Sequence, residues 1–173
     1  KMFCKGELIV YGNTGVCRVE DVAPANHLSS GDKERLYYKL APLYGSGFIY
    51  IPVDTAVFMR PVLTREEAET LIAQIPEIKE ENCQGLDPRA LADKYRATLN
   101  THECADLVQL IKSVYSKNQA LAGSGKKPGK TDQEYMKRAE GLLHGELAVA
   151  LEIPVDQVEE YIRSRVEDAM FPQ

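Results

Sequence analysis

The hydrophobic pattern changes period once along the chain. Up to about residue 60 apolar positions come in short runs of period two, and from Thr64 onward they recur every three to four residues. Leu8-Ile9-Val10-Tyr11 predicts a first strand, ended by the turn signal Gly12-Asn13-Thr14-Gly15. Val16-Cys17-Arg18-Val19-Glu20-Asp21-Val22 alternates apolar and polar, which predicts a strand with one buried face. Residues 24–32 are rich in loop formers. Residues 35–40 and 48–53 are further strands, joined across 42–47, and a fifth short strand is expected around 56–59. Four or five short strands in so brief a stretch predict a small barrel.

The helical half announces its own boundaries. Thr64-Arg65-Glu66-Glu67 is a capping box, in which the Thr oxygen accepts from an early amide and Glu67 reaches back. Ala68, Leu71, Ile72 and Ile75 then share one face, and the helix should stop before Pro76. Asp87-Pro88 starts a second helix with Leu91, Tyr95 and Leu99 on its apolar face. Thr101 is expected to cap a third, with Ala105, Val108, Ile111, Val114 and Tyr115 inward. Residues 122–130 read as a flexible basic loop. Thr131-Asp132-Gln133-Glu134 matches the capping box again and should open a long helix bearing Met136, Ala139, Leu142, Leu143, Leu147, Ala150 and Leu151. Pro154 should end it and begin a last helix with Val155, Val158, Ile162 and Val166. The expected fold is α+β: a small β-barrel domain over residues 1–62, then an all-helical domain of about five helices over 63–173.

Composition narrows the function classes. Hydrophobic residues make up 44% and charged residues 27%, ordinary globular values. No apolar run approaches the ~20 residues of a membrane span. The start at Met2-Phe3-Cys4-Lys5 lacks the apolar stretch of a secretory signal, so a cytoplasmic protein is expected. The four cysteines are scattered, with no Cys-x-x-Cys pair, so neither a zinc ribbon nor a redox motif is expected. No metal and no cofactor are expected. His102-Glu103-Cys104 are consecutive and would point about 100° apart on a helix, which rules out a nucleophile–base pair among them. Gly-Ser-Gly-Lys-Lys-Pro-Gly at 123–129 lacks the ending and the preceding strand of a phosphate-binding loop. The reading is a protein that is not an enzyme, against the alternative of a thiol hydrolase.

Charge redirects attention to one stretch. The net charge of −5 argues mildly against nucleic acid. Residues 89–138, however, hold ten basic side chains against five acidic ones. Within them Arg89, Lys94 and Arg96 cluster around Tyr95, and Lys126, Lys127 and Lys130 lie in the loop. Phosphate contact competes here with an ordinary solvated surface. In the β half, Tyr37, Tyr38, Tyr44, Phe48 and Tyr50 are shared between a barrel core and an interaction surface.

Taken together, the segments Phe3-Cys4-Lys5-Gly6-Glu7-Leu8-Ile9-Val10-Tyr11, Leu36-Tyr37-Tyr38-Lys39-Leu40, Ile49-Tyr50-Ile51-Pro52 and Tyr135-Met136-Lys137-Arg138-Ala139-Glu140-Gly141-Leu142-Leu143-His144-Gly145-Glu146-Leu147-Ala148 carry a likeness across nearly the whole chain. In order and spacing they resemble the CarD/CdnL family of bacterial RNA polymerase-binding regulators. The resemblance implies a Tudor-like N-terminal domain that pairs strand edges with the polymerase β subunit, through Tyr38, Lys39, Phe48, Tyr50, Ile51 and Pro52. It implies a helical domain that contacts promoter DNA, without reading sequence, at the upstream edge of the transcription bubble. Arg89, Leu91, Lys94, Arg96, Lys126, Lys127 and Lys130 would make that contact and stabilise the open complex, in a nucleoid-associated protein for which a monomer is the simplest state. Three positions depart from the family pattern. Gly12 stands where a Pro usually follows the Tyr, Tyr50 replaces an Arg of some members, and Leu91 falls where a Trp often packs against the bubble edge. Leu is among the apolar side chains that wedge into base steps. The competing reading is an adaptor that docks on polymerase without touching DNA. A fragment of transcription-repair coupling factor, which shares the β module, is set aside because the helical half is of the CarD kind and no helicase motif is present.

Overall fold

A computed structural model describes residues 2–24 and 34–166. The loop-former stretch of 24–32 lies, after Pro24, outside the described residues. The chain divides into two compact units, Lys1–Val62 and Leu63–Gln173.

The first unit is a five-stranded antiparallel sheet: β1 (Leu8–Tyr11), β2 (Gly15–Pro24), β3 (Leu36–Pro42), β4 (Ile49–Pro52) and β5 (Met59–Pro61), in the order β4-β3-β2-β1-β5. With the helices that follow, the fold is α+β and the sheet Tudor-like. The turn between β1 and β2 explains a departure noted above. Gly12 has φ +47°, and its N–H donates to the Phe58 carbonyl at 2.8 Å. Proline has a fixed negative φ and no N–H, so it meets neither condition. The β2 register shifts between Val19 and Asp21. This bulge at Glu20 keeps Val22 packed against the core and leaves Asp21 exposed, where strict alternation would reverse them. β5 begins at Met59, later than the expected 56–59, because the Val57 amide is taken by the Thr55 hydroxyl at 3.1 Å in a local turn.

The sheet buries Phe3, Ile9, Cys17, Val19, Tyr38 and Leu40 as one cluster. Tyr38 is 1% exposed, and its hydroxyl accepts from the Phe3 amide at 3.0 Å. Tyr38 pairs with Ile51 and Leu40 with Ile49, so these four share the inner face. Tyr37, Lys39, Tyr50 and Pro52 are the alternate positions and form the outer face.

The second unit holds α1 (Arg65–Gln74), α2 (Pro88–Leu99), α3 (Cys104–Gly123), α4 (Lys130–Leu151) and α5 (Val158–Arg165), with short 3-10 turns at Ile75–Glu77 and Val155–Gln157. The Thr64 capping box and the Asp87 cap form as the residue types require. Two expected caps do not. The Thr101 oxygen accepts from the Glu103 amide, His102 turns to φ +58°, and α3 starts only at Cys104. Val108, Ile111 and Val114 face inward as expected, but Ala105 is exposed, Tyr115 is half-buried and Leu107 joins the inner face. α4 starts at Lys130 behind Gly129, with no side-chain cap, so Thr131 lies inside the helix instead of capping it. α4 ends at Leu151, short of Pro154, as Glu152 turns left-handed at φ +56°. Its buried Glu146 accepts from the Leu63 amide at 2.9 Å, anchoring the segment that leads into α1.

Two residues before Glu146 on α4, burial lowers the pKa of His144, against an opposing pull from Glu159. Its Nε2 is buried without a hydrogen-bond partner among the described residues. The unfolded chain then binds the extra proton more readily, so the cost is absent above a pH of about 6.5 and grows as pH falls below it. Glu140, raised by burial and then by Glu159, acts in the opposite sense at lower pH. The thermal midpoint should therefore drop between pH 7 and pH 6, and His144→Leu should flatten that drop. An unchanged drop in the variant would assign the effect to other groups.

Candidate functional site

Two surfaces gather the chemistry, one in each unit. In the first, β4 is an outer strand of the sheet, so one backbone edge is unpaired by β3. Beside it stand Phe48, 54% exposed, and Tyr50, 36% exposed. Lys39 reaches across with its Nζ 4.1 Å from the Phe48 ring centroid. Exposed aromatic rings, a cation held over one of them and a strand edge unpaired among the described residues are the features that strand addition uses.

The structure sorts the predicted residues of this surface. Lys39, Phe48, Tyr50 and Pro52 lie together on the outer side. Tyr38 does not: it is a core residue, and its neighbour Tyr37 takes the outer position. Ile51 faces inward as well and packs against the core cluster. Two adjacent tyrosines satisfy either phase of a period-two pattern, so only the β3–β4 register decides between them.

In the helical unit, Leu91 is 5% exposed and belongs to the buried stripe Leu91, Tyr95, Leu99. It lies two positions after Arg89, which on a helix is about 200°. Arg89 and Arg96, seven apart, face solvent, and Leu91 faces the opposite way into the core. The expectation of an exposed wedge at Leu91 is thereby corrected.

The cations are also more engaged than their count implies. Lys112 is buried and donates to the Ile75 and Ile78 carbonyls at 2.8 and 2.7 Å. Lys117 pairs with Asp132 at 2.8 Å, and Lys94 with Glu81 at 2.6 Å, which raises the Lys94 pKa. Arg96 pairs with Asp93 at 2.8 Å and Arg138 with Glu134 at 2.7 Å. Arg89, Lys126, Lys127, Lys130 and Lys137 are exposed, and among the described residues none has a carboxylate partner. Lys126 and Lys127 lie in the loop between α3 and α4, and Lys130 is the first residue of α4. Lys137 and Arg138, an adjacent basic pair on α4, lie outside the residues the resemblance assigns to this surface. Their signal was Tyr135 three residues before Arg138, one turn back on the same helix face.

Beneath this surface runs a buried network. The Tyr95 hydroxyl donates to Asp132 at 2.6 Å, and Asp132, 2% exposed, also accepts from Lys117. Burial, then the Asp132 carboxylate, pushes the Tyr95 phenol well up, so it stays a donor. Beside it a polar cleft of about 230 Å³ is lined by Glu81, Cys83, Tyr95, Ser113 and Lys117. Burial raises the Cys83 thiol, which keeps it protonated and a poor nucleophile.

Residues 3–63 match the family model described as the CarD-like/TRCF RID domain. No curated protein matches the chain.

Proposed function

We propose, from the match of residues 3–63 to the CarD-like/TRCF RID domain model, that this chain is a non-enzymatic transcription regulator docking on the RNA polymerase β subunit. One observation carries the reading: within residues 3–63 the outer edge of β4 is unpaired among the described residues and flanked by Phe48, Tyr50 and Lys39. A strand of the polymerase would add to that edge through backbone hydrogen bonds, with the aromatic rings and Pro52 covering its side chains. Exposed aromatic side chains beside a strand edge are the usual energetic anchors of such contacts.

The helical unit would then contact the DNA backbone at the upstream edge of the bubble. Arg89, Arg96, Lys126, Lys127 and Lys130 are the candidates, positioned on α2, on the α3–α4 loop and at the start of α4. Contacts of this kind position a protein without reading sequence, and holding the bubble edge would lengthen the life of the open complex. The polymerase contact supplies the local concentration that lets a few phosphate contacts suffice in a chain of net charge −5.

A second reading has an observation of its own. Lys94 and Arg96 are ion-paired within the unit and Leu91 is buried, which suits an adaptor that docks on polymerase and leaves DNA alone.

The first test is binding of the full chain to the isolated polymerase β lobe. Phe48→Glu with Tyr50→Glu should weaken it at least tenfold without lowering the thermal midpoint, as both side chains are exposed. Wild-type affinity in the double variant would move the docking surface off β4. The readings separate at open-complex lifetime: the regulator lengthens it in a salt-sensitive manner, whereas an adaptor binds polymerase and leaves it unchanged.

A further inference from the structure

Two guanidinium groups meet at one buried ring. Tyr135 is 5% exposed. Arg96 on α2 directs Nη2 to its hydroxyl at 3.3 Å. Arg138 on α4 lies over its face, with the guanidinium carbon 4.9 Å from the ring centroid. The mount itself is fixed from below, because Tyr135 packs on Tyr95 with centroids 5.6 Å apart and Tyr95 is bonded to Asp132. The two arginine side chains nevertheless remain 55% exposed. Rigid support with open heads is the arrangement that loses least entropy when an anion arrives.

Each arginine also carries its own counter-ion. Asp93 takes Arg96 and Glu134 takes Arg138, each through a single nitrogen at hydrogen-bond distance. A guanidinium has five N–H donors, so one carboxylate contact does not exhaust it. Exposed ion pairs between neighbours on a helix hold weakly and exchange readily. A phosphate diester presents two anionic oxygens in the geometry a guanidinium fork accepts.

We infer that Arg96 and Arg138 form one phosphate-binding pair for the nucleic-acid backbone, and that Asp93 and Glu134 shield it in the free protein. This rests on the DNA-contacting reading of the helical unit and adds Arg138 as a contact, Tyr135 as the positioning residue and two carboxylates as built-in competitors. Shielding keeps the affinity for DNA alone low, so that binding depends on delivery by another contact. Lys137, exposed beside Arg138, adds attraction without a counter-ion of its own among the described residues.

The experiment is binding of the full chain to a short mixed-sequence duplex across a salt series. Each phosphate contact contributes about −0.9 to the slope of log affinity against log salt. Arg138→Gln should lower affinity several-fold and flatten the slope by about one, and Arg138→Lys should recover the slope in part. Glu134→Gln should raise affinity several-fold, a sign that mere structural damage does not produce. Tyr135→Phe keeps the ring and loses the Arg96 anchor, so affinity should fall less than with Arg138→Gln. Far-UV circular dichroism confirms that each variant is folded. If wild type binds and Arg138→Gln keeps its slope, or folded Glu134→Gln binds more weakly, the pair is overturned while the DNA reading stands. If wild type shows no salt-dependent binding to the duplex, the DNA reading fails first and the pair with it.

Discussion

Asp132→Ala should destabilise the helical unit by about 2–4 kcal/mol, the larger of the effects expected from any single polar substitution here. The carboxylate is 2% exposed and has two partners, the Tyr95 hydroxyl at 2.6 Å and Lys117 at 2.8 Å. Removing it leaves a buried phenol without an acceptor and a lysine without its counter-ion. Lys117 is 25% exposed, so part of its charge stays hydrated, and the loss falls short of that for a fully buried pair. Because α2, α3 and α4 converge on this carboxylate, the loss should appear as one cooperative shift. A unit of about this size shifts its midpoint by roughly 4–8 °C for each kcal/mol, so far-UV circular dichroism on heating reads the change directly. Asp132→Asn keeps an acceptor for Tyr95 and should fall between wild type and Asp132→Ala. Should Asp132→Ala melt within a degree of wild type, the network is incidental to the fold.

Beside that carboxylate lies a limit of what local pattern reveals. Thr131-Asp132-Gln133-Glu134 has the spacing of a capping box, as Thr64-Arg65-Glu66-Glu67 does, and only the earlier one caps a helix. The later helix begins at Lys130, so Thr131 already lies inside its first turn, and Glu134 pairs forward with Arg138 instead of reaching back. The box fixes a spacing and not the residue at which the helix starts. The strands show the same division. Ile49-Tyr50-Ile51 alternates cleanly, so the outward Tyr50 was readable, while Tyr37-Tyr38 fits both phases and needed the register with β4. Counting charges located the basic zone between Arg89 and Arg138. It did not show that Lys112 is spent on two carbonyls or that Lys94, Arg96, Lys117 and Arg138 are paired, since ion pairing depends on which helices pack.

Leu91→Ala should cost about 2–5 kcal/mol, since a buried Leu truncated to Ala loses its transfer energy and leaves a cavity. Leu91 is 5% exposed in the buried stripe with Tyr95 and Leu99. Leu91→Met conserves volume and should cost less than about 1.5 kcal/mol. The pair of substitutions separates two roles that a position matched to a bubble-edge Trp would otherwise confuse. A wedge acts on DNA while the protein stays folded. A core residue acts on DNA only by unfolding the surface that carries Arg89 and Arg96. Measured well below the midpoint, where Leu91→Ala is still folded, duplex affinity and its salt slope should match wild type, and open-complex lifetime should follow the folded fraction. A folded Leu91→Ala chain that shortens the open complex would mean that α2 turns Leu91 outward on DNA, at the expense of the core beneath it. Because that turn would also carry Arg96 away from Tyr135, the wedge and the arginine pair are mutually exclusive arrangements of α2, and this one substitution weighs one against the other.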